Sequence, residues 1–401
     1  MSLPASTSQP LDIVIIGAGI GGLTAGIALQ QRGHRVRLFD RVADLTPAGA
    51  AISVWPNGVN VLEKLGLGPA IKAVSGDMHS MSYSTHGGQL LTRFSLQPLY
   101  DAVEQRACPI ARTALQKILL DACGRENVTL GVGCESVEAV DADGAEGVLV
   151  KLSNGQQITA DLVVAADGTH SRLRNYVVGR EVVRDYCGYV NWNGRVAVAE
   201  DLAPATEWAQ FVGDHKRVSL MPMGADQFYF FFDVPLPAGT ANDREQYRAE
   251  LRGHFKGWAA PVQALIERID TATVSRVEIH DMVPTASYVK GRVVLLGDAA
   301  HPMAPDLGQG GCQAMEDAWV LARCLDLDAG DTGAALARYD NARAERTAQI
   351  MLRARARSQI THGGEPVETQ AWYQELAEET GERVIAGLVK TAVGGGELLQ
   401  D

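Results

Sequence analysis

Apolar and polar positions alternate along this chain in two textures, and the change between them divides it. The first texture is an apolar run of strand length that ends in glycine and leads into a stretch of helical period. Residues 11–16 are such a run, followed by Gly17-Ala18-Gly19-Ile20-Gly21-Gly22 and an Ala/Leu-rich helix over 23–31. A second strand over 35–39 ends at Asp40. Asn57 is placed to cap a helix over 59–65, and Gly66 ends it. A helix opens at Arg112-Thr113, and a strand near Val128 follows. Alternation predicts strands at 137–140 and 148–152, with Asn154-Gly155 turning into a third at 157–160. A buried-type run over 162–166 ends in Asp167-Gly168.

The second texture covers 182–283 and is β-rich and aromatic, with Tyr186, Tyr189 and Trp192, strands at 217–221 and 227–234, and a helical piece at 244–269. In Phe228-Tyr229-Phe230-Phe231-Phe232, period two sends Phe228, Phe230 and Phe232 to a sheet core and Tyr229 and Phe231 to the other face. If Met221 pairs with Gln227, Ser219 faces Tyr229 and Arg217 faces Phe231. Arg217 and Tyr229 then share a face, and a one-residue slip separates them. The first texture returns with a strand at 293–296 and a long helix over 313–360. The Ala/Arg alternation at 353–357 reads as a solvated face of that helix.

Composition narrows the function. The 401 residues, 46% hydrophobic and 21% charged, are those of an ordinary globular protein of two domains or one elaborated α/β unit. A net charge of −12 disfavours nucleic acid as a partner. No apolar run approaches the ~20 residues that span a membrane. Residues 1–10 are Ser/Pro-rich and read as a short disordered lead without a targeting signal. Six cysteines without CxxC or zinc-type spacing suggest reduced thiols in the cytoplasm and no metal.

Three motifs carry the chemistry. In the first, Gly17 permits a tight turn, Gly19 lets backbone approach a pyrophosphate, and Gly22 lets helix and strand pack closely, with Gly21 between them. The helix start offers free N–H groups to the phosphates. Asp40, about 20 residues on, suits a ribose 2′-hydroxyl, with Arg41 beside it. This stretch alone fits FAD or NAD equally. The second motif is Gly297-Asp298-Ala299-Ala300-His301-Pro302, with Pro305-Asp306-Leu307-Gly308-Gln309-Gly310-Gly311 after it. Asp298 can bond a ribityl hydroxyl, and the glycines offer backbone N–H groups to a flavin ring. A nicotinamide dinucleotide has no need of such a second half-site, so the pair favours FAD. The third motif is Asp167-Gly168-Thr169-His170-Ser171-Arg172-Leu173-Arg174.

In this order and spacing the three motifs resemble those of the class A flavoprotein monooxygenases, the aromatic hydroxylases of the p-hydroxybenzoate hydroxylase fold. Several segments resemble, within that family, the bacterial FAD-dependent urate hydroxylases. They include Gly188-Tyr189-Val190-Asn191-Trp192-Asn193-Gly194, Lys216-Arg217-Val218-Ser219-Leu220-Met221-Pro222 and Trp372-Tyr373-Gln374-Glu375-Leu376. Cys312, where many members carry Asn, agrees with that subgroup. The resemblance implies an α/β, Rossmann-like FAD/NAD(P)-binding fold with an inserted, mostly antiparallel β-sheet substrate domain. We expect FAD-binding parts at 1–75, 101–183 and 284–360, substrate-domain parts at 76–100 and 184–283, and a C-terminal helical segment at 361–401.

The implied reaction is hydroxylation of urate to 5-hydroxyisourate, a step of purine catabolism. It uses NADH (NADPH being the alternative) and dioxygen, through a flavin 4a-hydroperoxide. Such chemistry needs a dry site that holds an electron-rich ring. Urate, a planar anion, needs a cation, an amide and an aromatic wall. Arg217, Tyr229 and Asp306 are the candidate catalytic residues, with Asp306 accepting a hydrogen bond from Tyr229. Asn191, Arg217, Tyr229 and Phe231 are the candidate substrate contacts. By similarity, Ser53, Arg112 and the strand end at Cys134 join Gly17, Gly19, Gly21, Gly22, Asp40, Arg41, Asp167, Asp298, Gly308, Gln309, Gly310, Gly311 and Cys312 at the FAD. His301 reads as a structural neighbour of the flavin loop. Salicylate or another aromatic acid is the alternative substrate. A flavoprotein sensor is the rival from another class, and the intact third motif argues against it.

Overall fold

The computed structural model describes residues 9–45, 50–142 and 145–399. Residues 1–8 of the expected lead and Ala48-Gly49 lie outside the described residues.

A six-stranded sheet runs in the order Val289–Lys290, Val293–Leu295, Leu162–Ala165, Asp12–Ile16, Arg35–Asp40, Val128–Leu130. Every neighbouring pair is parallel except the first. Its inner strands read as unbroken apolar runs because helices cover both faces, and 162–165 and 293–295 are buried throughout. The helix Ile20–Gln30 packs against Arg112–Cys123 and Gly310–Leu327. The first strand is central, with its chain successor on one side and a later strand on the other. The turn at Gly17 therefore opens into the crevice where the strand order reverses.

Two glycines make that turn. Gly17 has φ +108°, and a Cβ there would lie 2.1 Å from the Ala166 carbonyl oxygen. A Cβ on Gly22 would lie 1.9 Å from the Gly17 carbonyl oxygen. We expect Gly17→Ala to purify insoluble or without cofactor, because backbone strain of roughly 1–3 kcal/mol adds to an unrelievable contact. Absorbance of the purified protein checks this, and a fully yellow variant of normal melting temperature would refute it.

A seven-stranded sheet runs Ser275–Asp281, Asp185–Ala197, Gln227–Pro235, Lys216–Met223, Glu207–Gly213, Ser80–Thr85, Leu90–Ser95. All its pairs are antiparallel except Glu207–Gly213 with Ser80–Thr85. Phe228, Phe230, Phe232 and Trp192 are fully buried on one face, in a second core shared with Tyr247–His254 and Ala260–Arg268. The other face mixes polar side chains, among them Asn191, Asn193, Arg217, Ser219 and Asp233, with Trp208, Met221 and Phe231. A three-stranded sheet (Gln157–Ala160, Ala145–Leu152, Cys134–Ala142) and the pair Ala51–Val54 with Cys108–Ala111 complete the strands. Among the described residues no helix is long and apolar enough to cross a membrane.

Four local expectations need correction. The pairing is Met221 with Tyr229 and Arg217 with Asp233, two residues away from the expected register. The turn is shorter than assumed, Gly224-Ala225-Asp226, with Ala225 and Asp226 at φ +64° and +52°. Because the shift is even, Arg217 and Tyr229 still share a face. Asn57 does not cap its helix. It lies inside Pro56–Lys64, and its amide donates to Gln309 Oε1 and Glu316 Oε1 at 3.0 and 2.7 Å. The long C-terminal helix is two, Gly310–Leu327 and Thr332–His362, the second capped by the Asp331 carboxylate on Ala334 N. The arginines at 353–357 are not a simple solvated face. Arg353 bonds Thr391, Arg355 forks onto Asp281 at 2.7 and 2.6 Å, and Arg357 lies over the Trp372 ring.

Candidate active site

The crevice beyond Gly17 is a cavity of about 500 Å³. Gly17, Gly19, Asp40, Arg41, Cys134 and Asp167 are among its lining residues. A Cβ on Gly19 would meet nothing, so that position is open toward the cavity. The helix Ile20–Gln30 starts there with no side-chain cap, leaving its first N–H groups for an anion. Asp40 accepts from Ala18 N at 2.7 Å and Val42 N at 3.1 Å, which fixes its carboxylate at the cavity wall. Arg112 begins the helix Arg112–Cys123, and Gln116 one turn on donates to Ala18 O. A cation at the positive end of a helix is unfavourable alone, and an anionic ligand relieves it. Gly21 and Gly22 do not line this cavity. A Cβ on Gly21 would lie 2.7 Å from Leu296, so Gly21 serves packing.

Ser53, Arg112, Asp298 and the loop residues 308–312 are not among the residues that line this cavity, but Arg174 ties Asp298 O to Gly168 O at its wall. The glycine run of the flavin loop enters Gly310–Leu327, again with no side-chain cap. Gly308 has φ +63°, and a Cβ there would meet Trp55 Nε1 at 2.7 Å and Ser53 Oγ at 2.9 Å. Gly311 is similarly closed against Ile52. Cys312 Sγ accepts from Trp55 N and donates to Ser53 O, and burial pushes its thiol up to about 12. It therefore binds the loop to Ala51–Val54 as a neutral thiol. The Gln309 amide oxygen accepts from Asn57 and Gln313. The Asp298 side chain is exposed and bonds no described residue. Trp55 Nε1 and Asp167 Oδ1 are buried without partners among the described residues. Open glycines, uncapped helix starts and orphaned polar atoms are what a dinucleotide with a planar ring would fill, so these residues fit FAD.

Two buried arginines lock the loop in place, and neither was singled out from the sequence. Arg174 of the third motif donates to Ala299 O and Asp298 O, both at 2.7 Å, and to Thr169 O. Arg343 donates to Asp317 Oδ1 at 2.6 Å and Glu316 Oε2 at 2.7 Å. Asp317 in turn accepts from Gly297 N and pairs with His301 Nε2 at 2.6 Å, which gives His301 its structural place.

The mixed face of the seven-stranded sheet meets this loop. Three adjacent strands set Asn191, Asp233 and Arg217 side by side. Arg217 Nε donates to Asp233 at 2.9 Å, and Nη2 donates to Asp306 Oδ1 at 3.0 Å. Its guanidinium lies 5.1 Å from the Phe231 ring centroid. Nη1 bonds no described residue. Both carboxylates raise the Arg217 pKa against the opposing effect of burial. Asp306 is held down to about 2, because Arg217 and His362 outweigh the burial that would raise it.

Here the structure corrects one hydrogen bond. The phenol that donates to Asp306 is Tyr189, at 2.7 Å, and not Tyr229. Tyr229 lies two residue pairs farther along the same face, and its hydroxyl bonds no described residue. Burial pushes that phenol up to about 12. The amide of Asn191 is also engaged within the protein, donating to Asp233 at 2.6 Å and accepting from Asn193 at 2.8 Å. Asn191 therefore orients Asp233. Sequence reasoning missed Tyr189, Asn193, Asp233 and His362 as members of this cluster. A lone acid in the apolar run at 227–235, two residues from Phe231 on the Arg217 face, was a legible signal for Asp233. Nothing near His362 in sequence marks it.

The carboxylates predict acid behaviour. Asp306 and Asp317 both sit at about 2, below the ~3.9 of an unfolded Asp. A depressed folded value stabilises above the unfolded one. The contribution is complete above about pH 5 and is lost progressively as pH falls toward 2. Urea midpoints at pH 5, 4 and 3 should fall in that order, and a flat series would overturn the assignment.

Residues 10–354 match the model of a protein family described as FAD binding domain. A FAD-dependent urate hydroxylase of Klebsiella pneumoniae is 49% identical over 386 residues, 96% of this chain and 99% of its own. One from Mycolicibacterium vanbaalenii is 46% identical, over 96% and 97% of the two chains. The crystal structure of Klebsiella pneumoniae HpxO complexed with FAD and uric acid is similar at 48% identity and a TM-score of 0.92, covering 96% of this chain and 97% of that one. The chain belongs to the FAD-binding-domain family, as a class A FAD-dependent monooxygenase similar to the bacterial urate hydroxylases.

Proposed function

We propose that this enzyme hydroxylates urate to 5-hydroxyisourate, using FAD, NADH and dioxygen. The observation that carries the reading is one face of the seven-stranded sheet. It sets a buried arginine with a free Nη1 and a tyrosine with a free hydroxyl against the flavin loop. The full-length similarity to urate hydroxylases, and the uric acid in the related HpxO complex, support the substrate.

FAD, when bound, takes hydride from NADH and activates dioxygen for transfer of one oxygen atom. Gly17, Gly19, the start of the helix Ile20–Gln30 and Arg112 hold its pyrophosphate side. Asp40 holds the ribose, and Ser53 and the glycines at 308–311 hold the ring. Arg217 binds the urate anion through Nη1, with Phe231 as part of the aromatic wall. Asp233 and Asp306 keep the guanidinium from turning, and Asn191 and Asn193 keep Asp233 from turning. Tyr229 offers its hydroxyl to the purine edge and stays protonated at working pH. The second core behind the strand excludes water from that side. All six cysteines are free, which agrees with a reducing cytoplasm.

The test is NADH oxidation by the purified yellow protein with urate and with salicylate, following urate by its ultraviolet absorbance. Urate should speed NADH oxidation and disappear in step with it. Acceleration by salicylate alone would keep the family chemistry and overturn the substrate.

A further inference from the structure

The buried cluster at Arg217 has a charge problem that the sheet alone does not solve. Arg217 carries one positive charge and touches two carboxylates, Asp233 and Asp306, whose side chains are fully buried. Tyr189 and Asn191 hydrogen-bond to them but bring no charge. Cys187 lies near Asp306, and its thiol, pushed up to about 12 by burial, is neutral. These groups sum to one negative charge, which would oppose the anion that Arg217 is placed to bind.

His362, the last residue of the helix Thr332–His362, closes the cluster from the other side. Its ring stacks on Tyr189 with centroids 4.1 Å apart and planes 29° apart. Nδ1 lies 3.0 Å from the backbone carbonyl oxygen of His215. A carbonyl only accepts, so Nδ1 carries hydrogen. Nε2 lies 3.6 Å from Asp233 Oδ2 and 3.6 Å from Asp306 Oδ1, and it is buried with no other partner. A lone pair there would face two carboxylates, whereas an N–H there faces two acceptors. The seat of the ring is itself built. Asp214 and His215 turn at φ +49° and +60°, and His215 Nδ1 lies 3.2 Å from Thr369 Oγ1 in the helix Pro366–Glu378. Thr369 also donates to Ile360 O. The C-terminal segment thus reaches the substrate face through one imidazole.

We propose that His362 is a positioning residue, present as the imidazolium when substrate binds, which neutralises the second carboxylate and so leaves Arg217 Nη1 able to hold an anion. The proposal rests on Arg217 being the substrate cation. Asp233, Asp306, Arg217, Tyr189 and the His215 carbonyl are the groups that face the ring from the elements around it. Deprotonation of His362 returns the cluster to net negative and weakens urate binding. The device also ties affinity to pH without any change at Arg217 itself.

Calorimetric titration of urate into the oxidised, FAD-loaded protein over a pH series tests this. Wild-type affinity should weaken as pH rises. His362→Gln should bind urate about ten-fold more weakly or worse at low pH, lack the pH limb, and retain its FAD and melting temperature. His362→Phe keeps the stack on Tyr189 without the charge and should behave likewise, so it decides the matter if the glutamine variant misfolds. Wild-type affinity independent of pH, or a His362→Gln profile equal to wild type, overturns the proposal. Arg217→Gln is the separate control. If that variant binds urate normally, the reading of Arg217 fails whatever His362 does.

Discussion

Arg217→Ala is expected to lose urate-dependent turnover while the purified protein stays yellow. The guanidinium hydrogen-bonds both Asp233, on the sheet, and Asp306, in the flavin loop. Truncating one partner of a buried, hydrogen-bonded charge pair costs 2–5 kcal/mol or more. In kcat/KM that is roughly 30-fold to several thousand-fold. Two carboxylates are then left facing each other beside the substrate position, and one must take up a proton or repel an anion. FAD should survive, because the cavity at Gly17, Asp40 and Asp167 shares no residue with the cluster. Urate-dependent NADH oxidation and visible absorbance, measured on one preparation, separate the two effects. A colourless protein would assign Arg217 to the fold instead of the substrate.

The largest expected loss of stability comes from Arg343→Leu. Arg343 is 1% exposed and touches Glu316, Asp317 and Gln313. Removing the cation leaves two fully buried carboxylates short of positive charge, Asp317 with His301 and Glu316 with Arg346 as the remaining ion-pair partners, a cost of about 3–5 kcal/mol. Both hold their charged form only against burial. Asp317 sits at about 2, with His301 and Arg343 pulling it down, and Arg343 and Arg346 pull Glu316 down. Asp317 also fixes Gly297 N and His301, so the flavin loop should loosen with it. We expect the melting temperature to fall by roughly 5 °C or more, with FAD released before the chain unfolds. A melting temperature within a degree of wild type would show that the carboxylates find other partners. Glu316→Gln combined with Arg343→Leu should recover part of the loss, since one stranded charge is gone.

Both variants probe contacts made by residues far apart in the chain, and here the reach of the sequence differs between fold and site. The sequence by itself determined the elements of the dinucleotide cavity. Gly17, Gly19 and Asp40 lie within one strand-turn-helix-strand unit, where local geometry settles which residues meet. The alternation at 228–232 likewise assigned Phe228, Phe230 and Phe232 to a core, because side-chain direction in a strand has period two. It also put Arg217 and Tyr229 on one face, although the pairing assumed was two residues off. What only the tertiary structure decided is which groups meet Arg217. Tyr189, Asp233, Asp306 and His362 come from two strands, a loop and the end of a helix. A short tight turn set the register, so Arg217 faces Asp233 and not Phe231. Asp306 accepts from Tyr189 and not Tyr229, and that choice depends on how the loop packs against the sheet. His362 lies 145 positions beyond Arg217 and joins it only because the long helix runs back across the sheet. Hydrophobic period and turn chemistry act over a few residues, so they are written locally. The pairing of buried charges is settled by whichever partners the packed elements bring within reach, and that is a property of the whole fold.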